Sequence, residues 1–242
     1  MFFLWIPGCV FGQNIDNQQR ALTVQQMSAK DRFEWRTVSL KKTIPVPQSI
    51  ASIKQAIEGR TSLLMHSMQQ WVPYDPAAFR KYSFLHWEMC GRPPLLPIQE
   101  KLLLRDFFNA GGTFFLDHCE GSFNEGEWKR WGASIFPESQ WEELESSHVL
   151  AYSFYLLEKR MLLDGGHSSI NLLKNDGRMI IILNQNSGFS WKNFRQSKVS
   201  KNYNSTQNEI RLRFYVNLLM YLLTGNYKAD QLHLPTILLR RK

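Results

Sequence analysis

Three cysteines in 242 residues, Cys9, Cys90 and Cys119, are too few for a scaffold in which disulfides replace a core. No apolar run approaches the roughly 20 residues that a membrane-spanning helix needs, and no internal repeat signals a solenoid or propeller. No pair of His, Cys, Asp or Glu has a spacing diagnostic of a metal site, and no nucleic-acid motif accompanies the charge. Acids are scarce in the last third: residues 174–242 carry twelve Lys/Arg against three Asp/Glu, although the whole chain sums to only +8. Their opposite is Asp117–Glu145, with eight acids and two bases.

What is present is an ordinary globular composition, 43% hydrophobic and 13% aromatic, long enough for one well-buried α/β domain and short for two. Residues 1–12 carry no charge and resemble the hydrophobic part and cleavage site of a signal peptide, with Val10 and Gly12 at the small-residue positions before Gln13. A positive n-region is missing, and Ile6-Pro7-Gly8-Cys9 is a poor lipobox. The expectation is a leader or its remnant at 1–12, a Gln-rich linker at 13–31 and one domain over 32–242. The protein is then exported, periplasmic in a bacterium, with a cytoplasmic location as the alternative.

Along that domain, Phe33–Val38 alternates as a first strand. Ile50, Ile53 and Ile57 form a helical stripe ending at Gly59. Leu63–Met65 and Trp71-Val72 compete for the next strand. Asp75-Pro76 opens a short helical turn, Tyr82–Glu88 is a strand, and Ile98–Asn109 is a helix with Ile98, Leu102, Arg105 and Phe108 in register. Gly111-Gly112 stops that helix before the buried strand Thr113–Leu116. Trp128–Phe136 reads as an amphipathic helix ending at Pro137, with Trp128, Trp131 and Trp141 expected to pack in the core rather than line a cleft. Ser147–Tyr155 reads as an irregular aromatic connection. Leu172-Leu173 and Arg178–Leu183 are arms of a hairpin about Asn175-Asp176-Gly177. Thr206–Glu209 is a capping box for a last helix with Ile210, Phe214, Leu218, Tyr221 and Leu222 on its buried stripe, stopped at Gly225. Strands alternating with such helices imply a doubly wound, flavodoxin-like α/β sandwich with a mostly parallel sheet.

Asn109–Ser122 organises the rest. It places Asp117-His118-Cys119-Glu120-Gly121 at the carboxyl end of a buried strand, where open α/β sheets bind ligands. Strand, turn and helix with a Cys in the turn is also the shape of a nucleophile elbow.

Four segments resemble the domain of unknown function 4159 family. They are Tyr82–Leu85, Gly111–Asp117, Ser153-Phe154-Tyr155 and, most specific, Val216–Lys228. The resemblance runs in register from about Arg32 to Arg240. It implies a fold like that of class I glutamine amidotransferases, export or membrane tethering in bacteria, and no established activity. The family's gene neighbourhoods, with von Willebrand-type and AAA-ATPase components, imply protein partners in an envelope-associated assembly. Met89-Cys90 stands where the family tends to show a Gly-His pair.

A thiol amidotransferase needs a His and an acid supplied after a later strand. Asn184–Trp191, the corresponding stretch, contains neither. No catalytic residue is therefore expected. The alternative is a hydrolase or amidase using Cys119. Glu88, Cys90, Asp117, His118, Cys119, Glu120 and Asn184 are the expected ligand cleft, with Asp117 receiving main-chain N–H groups at the start of the following helix. Cys90 and Cys119 lie just beyond strands that this fold makes neighbours, so a disulfide between them is expected if the protein is exported. Glu88, Asp117, His118 and Glu120 are the weaker metal option, and neither a metal nor a cofactor is expected. Lys192, Arg195, Lys198 and Lys201, interleaved with aromatics, form a candidate anionic-partner patch; nucleic acid is not the expected partner.

Overall fold

A computed structural model describes residues 33–39, 48–66, 70–118, 124–158, 163–164, 167–168, 170–185 and 208–224. The chain builds a seven-stranded sheet from β1 (Arg36–Ser39), β2 (Gln70–Pro73), β3 (Phe84–Glu88), β4 (Thr113–Asp117), β5 (Trp141–Glu143), β8 (Ile170–Asn175) and β9 (Arg178–Asn184), in the order β2-β1-β3-β4-β9-β8-β5. β6 (Leu163–Asp164) and β7 (His167–Ser168) pair separately. The five strands from β2 to β9 are mutually parallel, and β8 and β5 add antiparallel to them. This is the flavodoxin-like order, with its switch point between β1 and β3. The α/β doubly wound fold read from the sequence is the one observed.

Helices cover both faces: α1 (Gln48–Glu58), α2 (Pro76–Phe79), α3 (Ile98–Asn109), α4 (Glu125–Ala133) and α5 (residues 208–224). Because strand side chains alternate, one strand set feeds two cores. Trp35, Phe84, Phe115 and Ile182 face α1 and α5, with Ile53, Ile57, Tyr215 and Leu218. Leu85, Trp87, Phe114, Leu116 and Leu183 face α2, α3 and α4, with Phe79, Phe107, Trp128 and Trp131. Each fully buried aromatic of this kind contributes about 2 kcal/mol of transfer free energy.

Local signals explain the boundaries. Asp75 caps α2 by accepting the Ala77 N–H, and Asn124 caps α4 by accepting the Glu127 N–H. Glu125 and Glu127 in the first turn of α4 and Arg130 in its last suit the helix dipole. The β8–β9 hairpin turns on Asp176 (φ 49°) and Gly177 (φ 76°), the pair of left-handed residues that a type I′ turn requires. At Gly132 an added Cβ would stand 2.8 Å from the Trp141 ring, so glycine lets α4 close onto β5.

Several expectations are corrected. Trp71-Val72 forms the strand, while Met65 makes only an isolated bridge to Phe33. β3 starts at Phe84 rather than Tyr82, and α4 starts at Glu125 rather than Trp128. α3 buries Leu104, Phe107 and Phe108, whereas Ile98 and Leu102 are exposed. Its aromatic pair outweighs the aliphatic stripe in choosing the inward face. Trp128 and Trp131 are core residues, and Trp141 packs against that core, as expected. No described helix is long and apolar enough to cross a membrane.

Candidate site at the carboxyl edge of the sheet

On the face covered by α5, side chains change from apolar to polar along four adjacent strands. Two residues on from Trp35, Phe84, Phe115 and Ile182 stand Thr37, His86, Asp117 and Asn184. All four are buried: Thr37 is 2% exposed and the other three 0%. Parallel pairing sets them on two successive levels: Thr37 and His86 stand level with Phe115, and Asp117 stands level with Glu88 one step further along the same face.

These groups satisfy one another. Asp117 Oδ1 accepts from Asn184 Nδ2 at 2.6 Å and from the His118 main-chain N–H at 2.9 Å. Asp117 Oδ2 lies 3.4 Å from His86 Nε2, and His86 Nδ1 lies 3.2 Å from Thr37 Oγ1. The network is consistent with a proton on Nε2 directed to the carboxylate and the Thr37 hydroxyl donating to Nδ1. The His86 ring stacks on Phe115, with centroids 5.7 Å apart, and Trp35 flanks it at 5.5 Å. α5 adds Arg211, buried among the same groups. Desolvation lowers its pKa, while Tyr215 and Asp117 act in the opposite sense.

Acid, imidazole and hydroxyl here stand in the order of a nucleophilic triad. Their burial makes the arrangement a brace between β1, β3, β4 and β9: a reacting carbonyl would have to reach a hydroxyl that is 2% exposed. Buried polar groups with partners fix a packing arrangement and become costly when one partner is lost.

The expected cleft residues are only partly assembled. Asp117 and Asn184 bond directly, and Glu88 is the register partner of Asp117. His118 contributes its main-chain N–H to Asp117. The next described helix begins at Glu125 with Asn124 as its cap; among the described residues Asp117 is held by Asn184 from β9 and by the His118 main-chain N–H. Cys90 is exposed, sits 3.7 Å through Sγ from Glu88 Oε2, and is disulfide-bonded. Cys119, Glu120, Lys192, Arg195, Lys198 and Lys201 lie outside the described residues, as do the 1–12 leader and 13–31 linker. Among the described residues no three His, Cys, Asp or Glu side chains are grouped to hold a metal ion.

Sequence reasoning passed over Thr37, His86 and Arg211. The available signal was period two: a His two residues before Glu88, in a strand otherwise apolar on both faces, must share the face of Glu88 and be buried.

A family profile described as Domain of unknown function (DUF4159) matches residues 40–223, more than half of the chain. No curated protein matches the chain. The chain belongs to that domain family.

Proposed function

We propose that this DUF4159 domain is an exported, non-catalytic binding or scaffolding component at the bacterial envelope, on a glutamine amidotransferase-like fold. The observation that carries the reading is the disulfide at Cys90. Structural disulfides persist in oxidising compartments and are rare in the cytosol, which supports export. The partner we assign is Cys119. Glu88 pairs with Asp117 across β3 and β4, and in the sequence Cys90 and Cys119 each follow that pair by two residues. A bond there removes the one thiol placed to serve as nucleophile.

The polar layer beneath supports the same reading. Each ring nitrogen of His86 already faces a protein partner, Thr37 or Asp117, so the imidazole acts as a strut. The alternative, a Cys119-dependent hydrolase or amidase, requires a free thiolate with its own base.

The test is peptide mapping of protein recovered from periplasm and from cytoplasm, with and without reductant, alongside iodoacetamide labelling across pH. The proposal expects a Cys90–Cys119 linked peptide in periplasmic protein and no alkylation before reduction. Rapid alkylation of Cys119 near neutral pH would move the assignment to the hydrolase. Linkage of Cys90 to Cys9 would overturn export with cleavage after residue 12.

A further inference from the structure

Between the disulfide-bonded Cys90 and α3, exposure follows a period of three. The side chain of Arg92 is 87% exposed, and Leu95 and Ile98 are 92% and 68% exposed. Pro93 and Leu96 are partly buried, and Leu96 packs against the core that holds Trp87 and Trp128. Pro94 and Pro97 fill the third position, the first partly buried and the second exposed. Neither the helical nor the strand repeat spaces residues this way, whereas the three-residue turn of polyproline II does.

The sequence imposes that conformation. Proline rings fix φ at about −65° in Pro93, Pro94 and Pro97. Each ring also pushes the residue before it, here Arg92, Pro93 and Leu96, into the extended region. Pro97 shows the result, with φ −56° and ψ 156°. Among the described residues, the main chain of Arg92–Leu96 pairs with no other main-chain group, as in polyproline II. Both ends are anchored. Gly91, at φ 81°, turns the chain out of β3, and its carbonyl accepts from Trp128 Nε1 at 3.1 Å. Pro97 leads directly into α3, where Leu102 extends the exposed apolar edge one turn beyond Ile98. A segment already held in its bound shape loses little entropy on association.

The shape selects the partner. A three-residue turn gives a triangular cross-section, and the Pro93/Leu96 edge lies toward this protein's own core. The other two edges, Leu95/Ile98 and Pro94/Pro97, are accessible to solvent. Prolines three apart on an accessible polyproline II segment are the pattern that aromatic-lined grooves take. A sheet edge is a poor alternative, because prolines supply no N–H to a ladder. Arg92 gives the segment a direction, since no charge follows it from Pro93 to Gln99. Its Nε stands 3.7 Å from Glu127 Oε1, beyond hydrogen-bond reach, and so exposed a pair contributes little. The guanidinium is therefore available to a carboxylate on the partner.

We propose that Arg92–Ile98 is a presented polyproline II ligand that docks in an aromatic-lined groove of a partner protein, with a carboxylate of that groove opposite Arg92. This rests on the binding-component reading above and names its surface.

The test places the photo-crosslinking residue benzoylphenylalanine at position 95 of the full chain, in the organism that makes it, with position 106 of α3 as control. The expected result is one dominant protein cross-linked from position 95 and not from 106. Mass spectrometry should map the linkage to a peptide of that protein containing Trp, Tyr or Phe. With the captured protein purified, fluorescence anisotropy then reads its affinity for the full chain. L95S/I98S, which removes two exposed side chains, should weaken binding about tenfold or more, the scale of lost anchors. R92E should weaken it about threefold, the scale of a rim charge. P94G should weaken it about two- to fivefold, because the unbound segment gains conformational freedom. Y152S/F154S, on a different exposed loop, should change nothing. A cross-link to lipid or to a second copy of this chain, or to a peptide without an aromatic residue, overturns the ligand. So does equal capture from positions 95 and 106, capture from neither, or binding that L95S/I98S leaves intact. Each of those outcomes leaves the binding-component reading standing, whereas a reactive free Cys119 thiol overturns that reading without touching the ligand.

Discussion

His86 and Asp117 stand on adjacent parallel strands but are not register partners: His86 faces Phe115, and Asp117 faces Glu88. The imidazole therefore reaches diagonally along the sheet, and Nε2 comes to 3.4 Å from Asp117 Oδ2. Its stacking on Phe115 sets that direction. The same ring joins the apolar layer below to the polar layer above, and its Nδ1 ties β1 in through Thr37.

The two residues should be energetically coupled. Asp117→Leu strips the acceptor from Asn184 Nδ2 and the His118 N–H and is expected to cost about 3 kcal/mol or more. His86→Phe keeps the ring on Phe115 and should cost about 1–3 kcal/mol, chiefly from groups left unpaired. Together the losses should fall short of their sum by about 1 kcal/mol. Urea unfolding of the four proteins measures this, and additivity within about 0.3 kcal/mol would sink the idea of a shared brace.

Asn217→Ala should be among the costliest single changes in α5. It leaves the Phe154 and Tyr155 N–H groups without the Asn217 Oδ1 acceptor and the Leu150 and Tyr155 carbonyls without the Nδ2 donor, a loss of about 3 kcal/mol or more. Asn217→Asp retains the acceptor and loses both donors, so it should also destabilise. In native-state hydrogen exchange, the Phe154 and Tyr155 amides should lose protection before those of β4. Unchanged protection at those two amides would mean that the loop is held by its apolar contacts alone.

The fold was legible where sequence signals were local and agreed. Asn175-Asp176-Gly177 fixes its hairpin through two left-handed residues, and Thr113–Leu116 is a β-branched and aromatic run that is buried on both sides. Signals that depend on distant partners were not legible. Trp141–Glu143 becomes a strand only because β8 offers an antiparallel edge. Which face of α3 turns inward depends on where Phe79 and Phe114 lie, since Phe107 stacks against both. The site divides the same way. Asp117 and Asn184 stand at strand ends, where ligand groups are sought, while Thr37 and His86 sit inside strands. Asn217, in a Val-Asn-Leu run, resembles a defect in the helix stripe until its loop is in place.

Glu209 links the end of α1 to α5 by bonding both Arg60 and Arg213. Its hydrogen bond from Arg60 is the main cause that pulls its pKa from 4.5 to about 2, with Arg213 adding to it against desolvation. A folded-state value below the unfolded one means that the contribution is complete above about pH 4.5 and is lost as pH falls toward 2. The pair is solvent-screened, so Glu209→Gln should cost under about 1 kcal/mol at neutral pH. Denaturant unfolding at pH 7 and pH 3 should show the wild-type advantage shrinking in acid. An advantage that grows in acid would contradict the assignment.

His148 carries the opposite kind of titration. Its Nδ1 accepts the Leu150 N–H at 3.2 Å, capping the short turn Val149–Ala151 that leads into the loop at 152–157. The cap requires the neutral ring, and burial holds the pKa below 6.5, with Lys174 acting in the same direction and Glu142 against it. Because the folded value is depressed, the stabilisation is whole above about pH 6.5 and disappears as pH falls through the folded value. Protonation also destroys the acceptor, so the loss falls on the loop that Asn217 holds. His148→Asn, which can cap without titrating, should therefore flatten the pH dependence of stability between pH 7.5 and 5 relative to the wild type. An NMR titration of the His148 ring supplies the direct check: a midpoint below 6.5 agrees, and one above it means that the charged ring is the favoured form and the cap is not what holds the turn.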